Sequence, residues 1–509
     1  MATIYTYTPP SQLTVLAFAS AFTVIGAMSA CGDDVATSGS FSGSASEATS
    51  LSATSPTDSD SDSDSDATGP TSSGSESASE SGSTSETSTT SGDPTTSGTT
   101  DDSTTTMGAS ATDTESGTTT DGGTTDGTDT DTTTTTTGSQ CEQQVCGDPG
   151  WSYIWIANSG ENTVSKIDTR DVIELARYRT RPDGGGSPSR TSVSIDGRAV
   201  AIANRQGGLT KIYSRPEDCV DNNNNGMIDT STGKNDVMAF DADECIAWHN
   251  PFSDYTVQRP VAWTSGVYNE ETCEYENQQI WTLTGDSGEP GKCGKTGIWA
   301  HLVNGTTGEI EDTVHIPHDV MSCTFGNADW GLGPYGAAVD PENNLWFYVF
   351  GQGKIARVDH DTLTYEVFSG GSYGITVDSK GRAWDDLPRR FDYQTKTWAS
   401  PIGNIPGNGG SGVAEDLQGR IWSATTGGVG WVDMDTMVVG DIVSLPGNNL
   451  YRGISVDIDG YIWAIQLGGT TAYKIDPDTY ETDFYDGLNA PYTYSDMTGG
   501  QIAKVLCPQ

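Results

Sequence analysis

From residue 151 onward the chain is built of short alternating runs. In "GITVD", Gly374 to Asp378, apolar Ile375 and Val377 alternate with polar neighbours, the pattern of a strand with one buried face. "DSKG" then predicts a hairpin turn in which Gly381 supplies the positive φ, and "RAW" returns as a second strand. The phrase occurs four times: "GAAVDPENNLW" from Gly336, "GITVDSKGRAW" from Gly374, "GVAEDLQGRIW" from Gly412 and "GISVDIDGYIW" from Gly453. These glycines lie 38, 38 and 41 residues apart. Trp346, Trp384, Trp422 and Trp463 keep the same spacing, as do Asp340, Asp378, Asp416 and Asp457. An Asp-x-x-Thr follows each phrase, at Asp359/Thr362, Asp392/Thr395, Asp433/Thr436 and Asp476/Thr479. It predicts a further turn, held by side-chain bonds to its own backbone.

Two hairpins per unit make a four-stranded sheet, and a period near 40 residues is that of a β-propeller blade. The expected fold is all-β: a β-propeller of four-stranded blades, seven in number, with six or eight as alternatives. The Trp is the natural filler between blades, since each sheet buries its faces against its neighbours. Earlier units are looser. Residues 162–171 are read as the outer hairpin of a first blade, 187–204 as the inner part of a second and about 258–320 as a third. The segment 490–506 is expected to supply the strand that completes the first blade.

The N-terminal part has none of this patterning. Residues 32–140 are almost entirely Ser, Thr, Gly and acidic residues, and they read as a disordered linker. Ahead of them, residues 1–31 hold an apolar run ending in Met28-Ser29-Ala30-Cys31, a signal peptide with a lipobox-like end. On that reading Cys31 is lipidated and 32–140 tether the domain 141–509 to a membrane, with a root-mean-square reach of roughly 55–60 Å. Asp is not the residue after the cysteine, which is Gly32, so the outer membrane or cell surface is the expected address. The net charge is −45, and no Lys or Arg precedes Lys166. Such a chain repels nucleic acid and anionic membrane at long range, so a membrane contact is expected through the lipid alone.

Setting Cys31 aside leaves eight cysteines, an even number that argues for disulfides in an exported chain. The sequence neighbours Cys219/Cys245 and Cys273/Cys293 are the expected pairs, with Cys507 tied to Cys141, Cys146 or Cys323. Between Cys219 and Cys245, in a stretch read as an insertion over 216–250, stands "DNNNNGMID". It follows the front of an EF-hand-type calcium loop. Asp221, Asn223, Asn225, the Met227 carbonyl and Asp229 would supply oxygens to a structural Ca²⁺. Thr232 stands where the bidentate Glu would be, so Asp236, Asp241, Asp243 or Glu244 would complete the set.

"PYGAAVDPENNLWF" followed by "GKIARVDHDT" resembles the repeat of streptogramin (virginiamycin B) lyases and related NHL propellers, and "ANSGENTVSKIDT" is similar to the YVTN repeat. The resemblance covers roughly 151–500 and implies a propeller fold. It also implies, for the lyases, ring opening by His and Glu side chains with Mg²⁺ at the channel mouth. Those repeats read Pro-His-Gly-Ile where this chain has Pro334-Tyr335-Gly336. The matching positions are Tyr335, Tyr373, Ser411 and Arg452, with Arg190 in the second blade, so the family's acid–base histidines do not carry over.

Two sets of residues therefore remain as candidates for chemistry. Inner strands of a propeller start at one face, so Tyr335, Tyr373, Arg452 and Arg190 are expected to converge on one funnel and to stack on a sugar or grip a carboxylate. His318 and Asp319, in "HIPHD", are weak candidates for a base or metal ligands. The expected function is a monomeric, surface-anchored propeller binding an extracellular small molecule, glycan or protein without evident catalysis. The alternative is a metal-dependent lyase or hydrolase resembling virginiamycin B lyase or calcium-dependent lactonase.

Overall fold

The computed structural model describes residues 3–5 and 150–506, apart from 270, 273, 325–331, 408–409, 448 and 495. Within these residues the strands form seven antiparallel sheets and one small hairpin. Blade 1 comprises Tyr153–Asn158, Thr163–Asp168 and Ile173–Arg179. Blade 2 comprises Pro188–Val193, Ala199–Asn204, Leu209–Tyr213 and Ile246–Asn250, with the calcium-loop-like insertion between its last two strands. Blade 3 comprises Val257–Trp263, Gln279–Gly285, Ile298–Asn304 and Ile310–Ile316, and its first connection carries the hairpin Val267–Asn269/Glu274–Glu276. Blades 4 to 7 begin with the inner strands Pro334–Val339, Ile375–Val377, Val413–Glu415 and Tyr451–Val456, each followed by three more strands in chain order. Thr3–Tyr5 adds to the outer edge of blade 4 by pairing with 365–367.

The ring closes through the C-terminal segment. Trp155 N–H donates to the Met497 carbonyl at 2.9 Å, and Tyr492 N–H to the Ala157 carbonyl at 3.3 Å. The segment 492–497 therefore lies along the first strand of blade 1 and takes the place of its innermost strand. Ile154 and Ile156 of blade 1 pack with Trp463 and Ile465 of blade 7, which completes a seven-bladed β-propeller. Part of the expectation for 490–506 changes: Gly500–Leu506 is a helix, α1, not a strand.

The repeated phrase is a hydrogen-bonding device. One oxygen of its Asp accepts the backbone N–H two residues on and again four residues on, fixing the turn: Lys380 and Arg382 to Asp378, Gln418 and Arg420 to Asp416, Asp459 and Tyr461 to Asp457. The other oxygen accepts the indole N–H of the Trp six residues on, at 3.0, 2.8, 2.7 and 2.9 Å for Asp340, Asp378, Asp416 and Asp457. The clamped Trp buries itself on the next blade: Trp346 against Phe391, Trp384 against Val413 and Ile421, Trp422 against Tyr451, Trp463 against Ile154. In the Asp-x-x-Thr turns the Thr N–H donates to the Asp in all four cases. That bond holds Asp392, Asp433 and Asp476 below the ordinary carboxylate range.

Cys219 pairs with Cys245 as expected, but Cys293 pairs with Cys323, not with Cys273. The reason is strand length. The hairpin around position 273 leaves blade 3 before Gln279–Gly285, and Cys293 follows that strand. A seven-residue strand spans roughly 23 Å, so Glu274–Glu276 and Cys293 belong to opposite ends of the blade. Cys323 follows the fourth strand and returns to the same end as Cys293. This also removes Cys323 as a partner for Cys507, which lies outside the described residues with Cys31, Cys141 and Cys146.

One end of the channel is closed by α1. Gln501 Nε2 donates to the Val339 and Val377 carbonyls, where the inner strands of blades 4 and 5 finish. Asp496, pushed up to about 6 by burial, accepts from the Gln501 and Ile502 N–H groups at the start of the helix. A small cavity lies beneath it, lined by residues such as Ala337, Thr376, Glu415 and Ser455. The other end, where the inner strands begin, is the mouth.

Candidate functional site

Each inner strand brings its first residues to the mouth, and four blades bring the residues expected there. The Arg190 guanidinium lies 5.2 Å from the Tyr335 ring centre, the Tyr335 and Tyr373 rings meet edge to face at 4.8 Å, and Arg452 sits 4.8 Å over Tyr373. Ser411, between them in the ring of blades, instead turns into its own blade, where its hydroxyl donates to the Gly412 carbonyl and accepts from the Ala424 N–H. Three further residues join the cluster. Arg259, from blade 3, lies 4.8 Å from the Tyr335 ring. Tyr494 lies under Arg190 at 3.1 Å, and the Tyr492 hydroxyl meets those of Tyr335, at 2.8 Å, and Tyr373.

Arg259 escapes the sequence pattern because blade 3 lacks the repeated phrase. Its only signal is the place of "VQRPVAW" beside "PSRTSV" of blade 2, where Arg190 stands. Tyr492 and Tyr494 carry no such signal, since they reach the mouth only through ring closure.

The cluster is deeply buried: Arg190 is 0% exposed, Arg259 2%, Tyr335 2% and Tyr373 5%. Burial pushes the Arg190 guanidinium down to about 9. Burial also raises Tyr492, to about 12, and Tyr373. At Tyr335 burial acts in the same upward direction, but the charges of Arg259 and Arg190 outweigh it and hold the hydroxyl below its ordinary value. Beside Gly374, Asp386 is pushed up to about 6 by burial and by Asp385.

The histidines lie elsewhere. His301 is buried and His249 half-buried in the sheets against threonine hydroxyls, and burial lowers them to about 3 and about 4. His315 stacks on Trp299 at 4.7 Å and bonds to the Thr296 carbonyl, while His360 bridges Asp361 and Gln279. His318 follows the outermost strand of blade 3, and its buried Nδ1 has no partner among the described residues. No described contact joins His318 or Asp319 to the mouth cluster.

In the insertion, Asp221 accepts from the Asn225 and Gly226 N–H groups, and the Asn223 and Asn225 amides both turn to one oxygen of Asp229, at 2.7 and 2.8 Å. Met227 N–H donates to the Asn225 side chain. Of the four candidates to complete the loop, Glu244 is the one set against it, accepting from the N–H groups of Asn222, Asn223 and Asp229. Asp243 instead binds Thr230 and Ser231, and Asp236 binds Thr232.

No family model matches this chain, and no curated protein sequence does. Among solved structures, a streptogramin B lyase aligns at 13% identity over 60% of this chain and 86% of its own, with a TM-score of 0.41. A virginiamycin B lyase from Staphylococcus aureus aligns at 12% identity over 62% and 92%, with a TM-score of 0.39. AztD from Citrobacter koseri aligns at 11% identity over 67% and 96%, with a TM-score of 0.40. At this level of likeness nothing about activity passes from those proteins to this chain.

Proposed function

We propose that this propeller is an extracytoplasmic binding module that takes a ligand at the mouth of its channel and does not turn it over. The observation that carries the reading is the convergence of Tyr335, Tyr373, Arg190 and Arg452, from four different blades, on one cluster of rings and guanidinium groups. Aromatic faces beside cations suit a small molecule, a glycan or a protein side chain. The non-catalytic part rests on the histidines: two are spent on threonines inside the sheets and held neutral, and none is joined to the mouth among the described residues. Lipidation at Cys31, a tether over 32–140, surface location and a monomeric state belong to the same proposal. They are supported by the sequence of the first 140 residues. Two disulfides and the lack of any described helix long and apolar enough to cross a membrane are compatible with it. Nucleic acid is not a partner on this reading, given the net charge of −45.

The second reading is a metal-dependent lyase or hydrolase, with Mg²⁺ in the lyase case. The unpartnered Nδ1 of His318, next to Asp319, favours it. One experiment weighs both. The full chain is screened by calorimetry against glycans, small acids and cyclic lactones, with and without Mg²⁺ and a chelator. The expected result is a ligand that Tyr373→Ala weakens at least about tenfold, that Gln501→Ala at the plugged end leaves untouched, and that is recovered unchanged in mass. Turnover abolished by the chelator would put the enzyme first, and a ligand indifferent to Tyr373 would remove the mouth as its site.

A further inference from the structure

Several other buried or half-buried arginines find a carboxylate within the fold. Arg177, 3% exposed, is held by Glu174 at 2.7 Å and Glu161 at 2.8 Å. Arg382, Arg389 and Arg420 are paired with the buried Asp378, Asp385 and Asp416. Arg190 and Arg259 are more buried than most of these and have no ion pair among the described residues. Arg190 Nε donates to the Tyr335 carbonyl at 2.9 Å and Nη1 to the Ser189 carbonyl at 2.6 Å, but its Nη2 is buried with no acceptor. Arg259 Nε is likewise buried with no acceptor. The two guanidinium groups flank one ring, 5.2 and 4.8 Å from the centre of Tyr335.

Two buried positive charges with unfilled N–H groups and no counter-charge are costly, and the chain elsewhere supplies carboxylates freely. We propose that the missing counter-charge is the ligand: the mouth binds an oxyanion, a carboxylate or phosphate group carried by the bound molecule, between Arg190 and Arg259. This rests on the mouth being the binding site and names the chemical class it takes. Guanidinium N–H forks match the paired oxygens of such groups and do not match a halide. In the hydroxyl chain Tyr335–Tyr492–Tyr373 two O–H groups are used within the chain and one remains to donate, and Tyr494 lies under the Arg190 guanidinium at 3.1 Å. The depressed Tyr335 hydroxyl reports the same uncompensated field.

Thermal unfolding of the full chain tests this, with sodium acetate, citrate, phosphate or chloride at matched ionic strength. Acetate and citrate distinguish a carboxylate source from phosphate. The expected result is a saturable rise in Tm with at least one oxyanion and none with chloride. Arg259→Gln should weaken the apparent Kd at least tenfold, and Arg198→Gln, on the surface, should leave it unchanged. Should Arg259→Gln fail to fold, Arg259→Lys keeps the charge, loses the fork and is expected to weaken binding too. No saturable rise, or an equal rise in the Arg259 variants, would overturn the oxyanion. If a neutral glycan still bound in a Tyr373-dependent way, the binding reading would stand without it; if neither bound, both would fall.

Discussion

At the residue scale, this fold depends on carboxylates used as hydrogen-bond hubs. Asp378 and Asp416 each hold two backbone N–H groups, an indole N–H and an arginine. Asp457 holds the same N–H groups, but Tyr461 stands where those repeats have Arg382 and Arg420, and burial pushes Asp457 up to about 6. Asp386 is a cleaner case, since one of its oxygens is buried without a partner. Its carboxyl is lifted to about 6 from an ordinary value of about 4. The native state therefore binds this proton more tightly than the unfolded chain does, so the group costs stability as pH rises through that window and the full cost is felt above it. Asp386→Asn is expected to gain up to ~3 kcal/mol over the native protein at pH 8 and nothing at pH 4, read by urea unfolding at both. A difference independent of pH would contradict this. The spacing of Asp and Trp was legible in the sequence because these bonds are local, within six residues. The roles of Asp386 and Arg259 were not, because burial sets the first and neighbours from other blades the second.

At the element scale, the hairpins of blades 4 to 7 could be read from the repeat, and their Asp-x-x-Thr turns bond as that motif predicts. Blade 3 was readable only in outline, since its first connection carries an extra hairpin, and the same insertion misdirects the pairing of Cys293. Nearness in sequence is a poor guide once a whole strand lies between two cysteines. The loop Asp221–Asp229 lies between two strands of blade 2 and is fastened by Cys219–Cys245 and by Glu244. If it holds Ca²⁺, the ion stabilises the insertion. Saturating Ca²⁺ is then expected to raise Tm by several degrees in the native protein and by none in Asp221→Ala, and a chelator to reverse the rise. An equal rise in both proteins would assign the effect to the acidic surface at large.

At the scale of the whole molecule, one terminal segment does three things. Residues 492–497 close blade 1, Tyr492 and Tyr494 fill the mouth, and α1 plugs the far end. The blade count was legible as a period, but the closure was visible only as a remainder after the last full repeat. A chain ending at Asp486 would leave Trp155 and Ile156 without their covering strand. It is expected to unfold at a clearly lower urea concentration than the full chain, followed by tryptophan emission, and an unchanged midpoint would show that closure adds little. On the proposed function, this closed ring presents one ligand site, at the mouth. The most direct test is a crystal structure of the full chain with the tightest ligand from the binding screen. That ligand is expected against Tyr335 and Tyr373, with an oxyanion between Arg190 and Arg259. A ligand bound at the α1 end, on an outer blade edge or around His318 would contradict it.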